Sequence, residues 1–306
     1  MDYAAIIKEI GRGAKGARSI DQAQAATLFG AMLDGEIPDL ELGAILMALR
    51  IKGESLPELQ GFKSAIDTRC LRIALPDSPR CIVLPSYNGA RRHPNLLPLV
   101  ALLLARQGIP VLIQGRHDFP TRINPFTLLS ALGVDLSNTV EEAGTRLRNG
   151  QIACLAVETL LPGLARLLAL RPRMGVRSCA HTLAKILDPC PGQSVRIVPI
   201  THPAYQANMT DLLIAEKGYA VLMRATEGEA YANPSRPLEL SLFRNHIVQH
   251  HAQAETEIPN TWPGLPANAD ITENAVYIRS ALEGNVPVPA ALQEQVNVLS
   301  LLARAA

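Results

Sequence analysis

What this sequence lacks narrows it first. Aromatic residues make up only 4% of the 306-residue chain, too few for an extended platform on which successive bases could stack. The formal net charge is +1, so any nucleic-acid reading must rest on where the charges lie. No run approaches the ~18–20 apolar residues of a membrane span, and the most apolar window, Leu96–Ala105, fits a buried helix. The five cysteines, Cys70, Cys81, Cys154, Cys179 and Cys190, are odd in number and free of CxxC spacing. That argues against a disulfide framework and for reduced, mostly buried thiols in a cytoplasmic protein. The N-terminal MDYAAIIKEIGRG carries Asp2 and has no long apolar core, so no signal peptide is expected there. Gly11-x-Gly13 follows a helical stretch and is no dinucleotide fingerprint. Ser86 sits outside any GxSxG elbow. His246, His250 and His251 have no carboxylate or cysteine at ligand spacing, which leaves them as a solvated loop.

What is there is a globular chain. Hydrophobic residues make up 48% and charged residues 19%, the balance of a folded protein. Residues 1–76 read as helices only. Tyr3–Ile10 is amphipathic and ends at GRGAKGARS, which reads as a loose, adaptable loop. Ser19 and Gln22 form a capping box for a helix with the stripe Ala26, Leu28, Phe29, Met32 and Leu33, closed by Gly35. Asp39 caps the next helix, which carries Leu42, Ile45, Leu46 and Leu49 on one face and stops at Gly53. Ser55 and Glu58 open another, through about Ile73.

From Arg80 strands and helices alternate. Strands are expected at Cys81–Leu84, Val111–Gln114, Ile152–Val157, Val195–Ile200 and Tyr219–Arg224. Helices are expected at Asn95–Gln107, Pro125–Leu132, Val140–Arg148, Ala204–Lys217 and Ile271–Leu282. Continuous apolar strands separated by helices imply an α/β fold with a mainly parallel sheet covered on both faces. Between Thr159 and Leu187 two helices fit, broken at Arg171–Pro172–Arg173, and this segment is expected to return to the N-terminal helices. Residues 250–268, polar and proline-rich, read as a long loop. The chain is organised around Ile82–Asn95, where a strand, a turn-rich loop and a helix succeed one another. That places the loop at the carboxyl end of a strand, where open α/β sheets bind ligands. A phosphate cradle there needs glycines; this loop has one glycine and the adjacent pair Arg91 and Arg92.

Three passages carry a family resemblance. Leu33–Glu54, LDGEIPDLELGAILMALRIKGE, resembles the helical N-terminal signature of the anthranilate phosphoribosyltransferases. Arg171–Pro189, RPRMGVRSCAHTLAKILDP, resembles their segment with an arginine, then Gly-Ile-Arg-Thr, then Asn-x-Leu-Gly-Pro. Thr201–Pro203 and Thr226–Asn233 resemble their later His-Pro and Gly-x-Asp-Glu stretches. The match covers nearly the whole chain in order. It implies the fold shared with the type II nucleoside phosphorylases: a small discontinuous helical domain (1–76 with 160–187), a larger α/β domain (77–159 with 188–306) and a homodimer through the helical domain.

The catalytic motifs depart from that family. Its diphosphate loop, Gly-Thr-Gly-Gly-Asp-Gly, reads Pro85-Ser86-Tyr87-Asn88-Gly89-Ala90. Its Lys-His-Gly-Asn-Arg reads Ile113-Gln114-Gly115-Arg116-His117. Its magnesium-holding Asp-Glu pair falls at about Ala230-Tyr231, which supply no oxygen ligand of the kind Mg²⁺ needs. The resemblance therefore implies no cofactor, unless Glu227 and Glu229 shift register to replace the pair. Asn95, Arg171 and His202 are retained, which keeps a residual transferase or phosphorylase open as the alternative. The peptides PSYNGAR, RMGVR-x-x-AHTLAK and TEGE-x-YANP resemble a divergent bacterial branch that binds nucleic acid and lacks transferase activity.

Charge distribution bears on the same question. Leu161–Leu187 holds Arg166, Arg171, Arg173, Arg177 and Lys185 with no Asp or Glu, so no acid in the segment can pair with them locally. Arg177, between apolar residues, is the most structural of the set. Arg91, Arg92, Arg116 and Arg122 lie on loops at strand ends, and Arg12, Lys15 and Arg18 lie among glycines near the N-terminus. Any single arginine is more often a solvated charge than a contact. The set as a whole, with the altered loop residues Ser86, Tyr87, Asn88, Gly89 and Asn95 beside it, gives the expected site. The expectation is a homodimer that holds DNA or RNA without sequence preference, no membrane partner, and a diphosphate chemistry that is lost.

Overall fold

The computed structural model describes residues 1–201, 205–253, 262–267 and 269–305, Ala14 by its backbone alone. His202, and residues 254–261 and 268 of the polar, proline-rich stretch, lie outside the described residues.

The first elements are helices: α1 (Tyr3–Ile10), α2 (Gly13–Gly16), α3 (Gln22–Asp34), α4 (Asp39–Lys52) and α5 (Leu56–Asp67). The glycine-rich GRGAKGARS is therefore not a free loop throughout, because α2 occupies its centre. The α3 capping box is Asp21 with Gln24, two residues later than Ser19 and Gln22. Ile20 causes the shift: it is buried at 5% exposure, and its N–H donates to Glu58 Oε1 at 3.1 Å, so the chain cannot turn helical before it. The Ser55–Glu58 box forms as expected. Ile45, Leu46 and Leu49 on α4 have no exposed surface within the single chain. Three of the four residues of the expected α4 stripe are thus covered internally, and Leu42 is half-buried.

The α/β part contains β1 (Cys81–Ser86), α6 (Leu97–Arg106), β2 (Val111–Gly115), α7 (Pro125–Ala131), α8 (Val140–Arg148) and β3 (Ile152–Ala156). The chain then returns through α9 (Val157–Leu160), α10 (Pro162–Ala169), α11 (Arg171–Met174), α12 (Cys179–Leu183) and a 3₁₀ turn at Ala184–Ile186. Helix α10 packs on α3, and α12 on α4 and α5. Arg171–Pro172–Arg173 is a one-turn helix of its own, since Pro172 suits a first turn and Gly175 closes it in a left-handed conformation. The remainder is β4 (Ser194–Ile200), α13 (Gln206–Ala215), β5 (Tyr219–Arg224), β6 (Glu239–Arg244), β7 (Ile247–Ala252), α14 (Ile271–Glu283) and α15 (Ala290–Arg304).

The seven strands form one sheet in the order β3-β2-β1-β4-β5-β6-β7. The first five are parallel, and β6 and β7 add an antiparallel hairpin at one edge. That hairpin contradicts the loop expected from residue 250. Its two-residue turn, Asn245-His246, has positive φ at both positions, the geometry of a tight hairpin. Alternate strand residues face opposite layers. Val83, Leu112, Leu155 and Leu222 join the core that runs into the helical group. Ile82, Leu84, Ile113, Ile197 and Val221 join the core under α6, α7, α14 and α15. Every strand of the parallel part ends toward the helical group's rim, so the loops after β1, β2 and β4 meet α4, α11 and α12 across a cleft. No described helix is long and apolar enough to cross a membrane.

Candidate functional site

The loop after β1 is held by two glutamates from the turn after β5. Glu229 is fully buried. Its Oε1 accepts from the N–H groups of Asn88 at 3.1 Å and Gly89 at 2.9 Å, and its Oε2 accepts from Ser86 Oγ. Burial raises its pKa, against the pull of these donors. Glu227 Oε2 accepts from three successive N–H groups, Arg91 at 2.8 Å, Arg92 at 3.0 Å and His93 at 3.2 Å. Burial would raise its pKa, but these donors prevail and lower it. Such runs of inward N–H groups are anion-binding concavities. Here the protein's own carboxylates fill them.

Behind this loop lies a cavity of about 530 Å³, bounded by Arg50, Arg122, Arg171, Arg177 and Lys185 among others. The polar contacts of four of them are neutral oxygens: Arg50 Nη1 donates to Arg177 O at 2.6 Å, Arg122 Nη1 to Asn88 O at 3.3 Å, Arg177 Nη2 to Asn88 Oδ1, and Lys185 Nζ to Pro199 O at 2.8 Å. Arg171 and Arg122 also lie over the ring of Phe119, at 4.3 and 5.0 Å from its centroid. Among the described residues none of these five cations has a carboxylate within ion-pair distance. The crowding registers in their protonation. Burial, then Arg171, Arg122 and Arg50, pushes Arg177 down to about 10. Burial and Arg177 push Lys185 down to about 8. Burial, then Arg177 and Arg171, takes His181 to about 4. Among the described residues the one acid lining the cavity, Glu54, has its pKa raised by burial. The arrangement calls for an anion.

The other expected residues divide. Arg116 pairs with Asp118 at 2.7 Å and with Glu158, so its charge is met on the spot. Arg173 lies 3.4 Å from Asp39, and Arg166 Nη2 donates to Leu33 O at 2.6 Å, closing the end of α3. An acid-free segment thus finds partners from α3 and α4, which its own sequence does not contain. Arg177, read as the most structural of the set, lines the cavity. Arg91 and Arg92 are exposed and lie outside the cavity lining. Arg12, Lys15 and Arg18 lie outside the cavity lining, Arg12 and Lys15 exposed and Arg18 reaching solvent with most of its side chain. Arg12 Nε reaches Lys8 O at 3.1 Å and Arg18 lies 4.0 Å from Glu9. Tyr87 OH donates to Gln114. Asn95 is fully buried, its amide donating to Ile123 O at 3.0 Å and accepting from Leu97 N at 3.2 Å. Sequence reasoning missed Arg50 altogether and the anchoring roles of Glu227 and Glu229. No local pattern reports a contact made across more than 130 residues.

Residues 4–70 match the helical bundle domain of a glycosyl transferase family. The chain is 39% identical over 302 residues to the uncharacterized protein YbiB of Escherichia coli K12, covering 97% of this chain and 92% of that one. It is 24% identical over 288 residues to the anthranilate phosphoribosyltransferase of Bradyrhizobium diazoefficiens, covering 92% and 83%. The chain belongs to the anthranilate phosphoribosyltransferase-like family. Its fold matches the anthranilate phosphoribosyltransferase of Thermus thermophilus with a TM-score of 0.76 at 21% identity, over 99% and 89% of the two chains. It also matches the Saccharomyces cerevisiae anthranilate phosphoribosyltransferase in complex with PRPP and Mg, at 0.75 and 13%, over 98% and 88%.

The residues of this family member do not fit a magnesium ion. Ala230 and Tyr231, at the place of the Asp-Glu pair, are fully buried, and Tyr231 OH donates to Pro94 O at 2.8 Å. The neighbouring carboxylates are committed to the loop, Glu229 through both of its oxygens. Register shift does not free them. The described residues contain no group of three or more acids, histidines or cysteines placed to hold a metal.

Proposed function

We propose that this protein binds DNA or RNA through the cationic cleft of a phosphoribosyltransferase-like scaffold, without sequence preference and without transferase activity. One observation carries the reading: five cations converge on a cavity and, among the described residues, none has a carboxylate within ion-pair distance. Clustered like charges are unfavourable, and a phosphodiester chain supplies the opposite charge repeatedly. Arginine and lysine contacts to phosphates give affinity and little sequence information. The exposed Arg91 and Arg92 on the same β1 loop add to this charge. In this reading the protein works as a dimer in the cytoplasm and needs no metal.

Loss of transfer follows from the loop. A diphosphate leaving group needs backbone N–H donors and a metal, and here Glu227 and Glu229 sit on the donors. Asn95 is engaged within the fold, which weakens the residual-enzyme alternative. Gel-shift titration with single- and double-stranded DNA and RNA at two salt concentrations tests the binding. Log affinity should fall with log salt by ~0.7 per phosphate contact for single strands and ~0.9 for duplex. An assay with anthranilate, phosphoribosyl diphosphate and Mg²⁺ should give no product; turnover of about 1 per second or more, within the ordinary range of enzymes, would overturn the reading.

A further inference from the structure

The geometry points to a pocket for one unpaired nucleotide of a single strand, its phosphate on Arg122, Arg171 and Arg177 and its base against Tyr205, Ile200 and Met209. This rests on the nucleic-acid reading and adds which form of nucleic acid the cleft takes, and how. The argument begins with access. Arg177 and Lys185 are partly buried inside the cavity, so their charge is available only to a group that enters it. A duplex carries its phosphates on the outside of a stacked, paired rod. It can reach the exposed Arg91, Arg92 and Arg173, but it cannot satisfy the cations within. A single strand can turn one nucleotide out of its stack and insert it.

The cavity suits that guest. Its volume of about 530 Å³ lies within the ordinary range for small-molecule pockets. Beside the cations, Val198, Pro199, Ile200 and the buried Met209 add apolar lining, and Tyr205, 41% exposed, lines the cavity as well. Although aromatics are scarce, Tyr87 and Tyr205 line this cavity, and the guanidiniums of Arg171 and Arg122, which also line it, lie over the ring of Phe119. Guanidinium planes and aromatic faces both stack on bases. Every base has a π-face, so a pocket of this kind is tolerant of sequence.

Fluorescence anisotropy on the full-length chain tests this, with a labelled oligothymidylate, a duplex of equal length, and thymidine 5′-monophosphate, ribose 5-phosphate and inorganic phosphate as competitors. The single strand should bind more tightly than the duplex, and thymidine 5′-monophosphate should displace it at lower concentration than either competitor lacking a base. Tyr205→Ala, an exposed position that leaves the fold intact, should weaken single-strand binding by roughly fivefold or more, the loss expected for one stacked base, and leave duplex binding unchanged. Arg177→Gln should weaken the single strand and the monophosphate together. If the strand binds but the monophosphate competes no better than phosphate, and Tyr205→Ala changes nothing, the pocket is refuted while nucleic-acid binding stands. If the monophosphate binds and no strand does, the pocket survives and the polymer reading fails. If nothing binds, both fall.

Discussion

At the scale of single residues, the cations of this chain differ by what stands next to them. Arg116 faces Asp118 and Glu158, whereas Arg177 faces only neutral oxygens. A hydrogen bond to a charged group contributes about 1.5–3 kcal/mol, so Arg177→Gln should lower nucleic-acid affinity by roughly tenfold or more. Arg116→Gln should stay within about 0.5 kcal/mol, the usual range for a surface change. Anisotropy titrations at one salt concentration compare the two, and equal effects would show that the absence of a carboxylate partner is not what matters. Lys185 supplies a pH signature. Its folded pKa is about 8, below the ordinary 10.5, so the folded protein disfavours its charge. Its share of the free protein's stability therefore rises with pH between those values, where the unfolded chain holds more protons. Anion binding runs the other way. It favours the charged amine, so affinity should be level below pH 8 and fall above it by at most about tenfold per unit. Lys185→Met should flatten that profile; a profile unchanged by the substitution would remove Lys185 from the binding surface.

At the scale of elements, the β1 loop is built by close approach and by borrowed charge. Gly115 on β2 stands opposite Ser86 on β1, and a Cβ there would collide with the Ser86 carbonyl. This gives a physical reason for the glycine in Ile113-Gln114-Gly115-Arg116-His117, whose neighbours have otherwise left the family pattern. Gly115→Ala should lower stability by about 1–3 kcal/mol through overpacking. Glu229→Gln should cost a similar ~1–3 kcal/mol, because an amide nitrogen replaces an acceptor among buried donors. Urea denaturation measures both, and a midpoint unchanged in either variant would mean that the loop is not held in this way. The helix ends were readable where the cap is local, as at Ser55 and Glu58. They were misread at Ser19, where a contact from α5 sets the start of α3. The β6–β7 hairpin escaped notice because β7 is an edge strand with a mostly exposed, polar sequence, and its turn carries His246 where the strongest sequence signal has glycine. Helix α15 was also passed over, although its buried Leu292, Val296, Leu299 and Ala303 follow a helical spacing.

At the scale of the whole molecule, we propose that a dimer uses a different face of α4. Ile45, Leu46 and Leu49 serve the internal core. Leu40 and Ile51 are 81% and 66% exposed, and with Gly43, Ala44 and Met47 they form an outer stripe at helical spacing. Exposed apolar patches of this kind mark interaction sites. Sedimentation at micromolar concentration should give twice 33.0 kDa, and Leu40→Glu with Ile51→Glu should give the single chain. A wild-type monomer would sink the dimer. In a symmetric dimer the cleft occurs twice, so affinity should rise with oligonucleotide length until both copies are spanned.

The sequence by itself determined the class of fold and the family. Apolar strands alternating with helices require a covered parallel sheet, and the motif order along the chain matches the anthranilate phosphoribosyltransferases. It also determined that the glycine loop and the acidic pair are missing, since those are matters of residue identity. Only the tertiary structure decided what took their place. That Glu227 and Glu229 sit on the loop's N–H groups depends on β1 and β5 lying on either side of β4. That Arg116 and Arg173 are ion-paired while Arg177 and Lys185 are not depends on acids brought by other elements. Charge is written in the sequence, but its neutralisation is a distance, and the fold sets the distances.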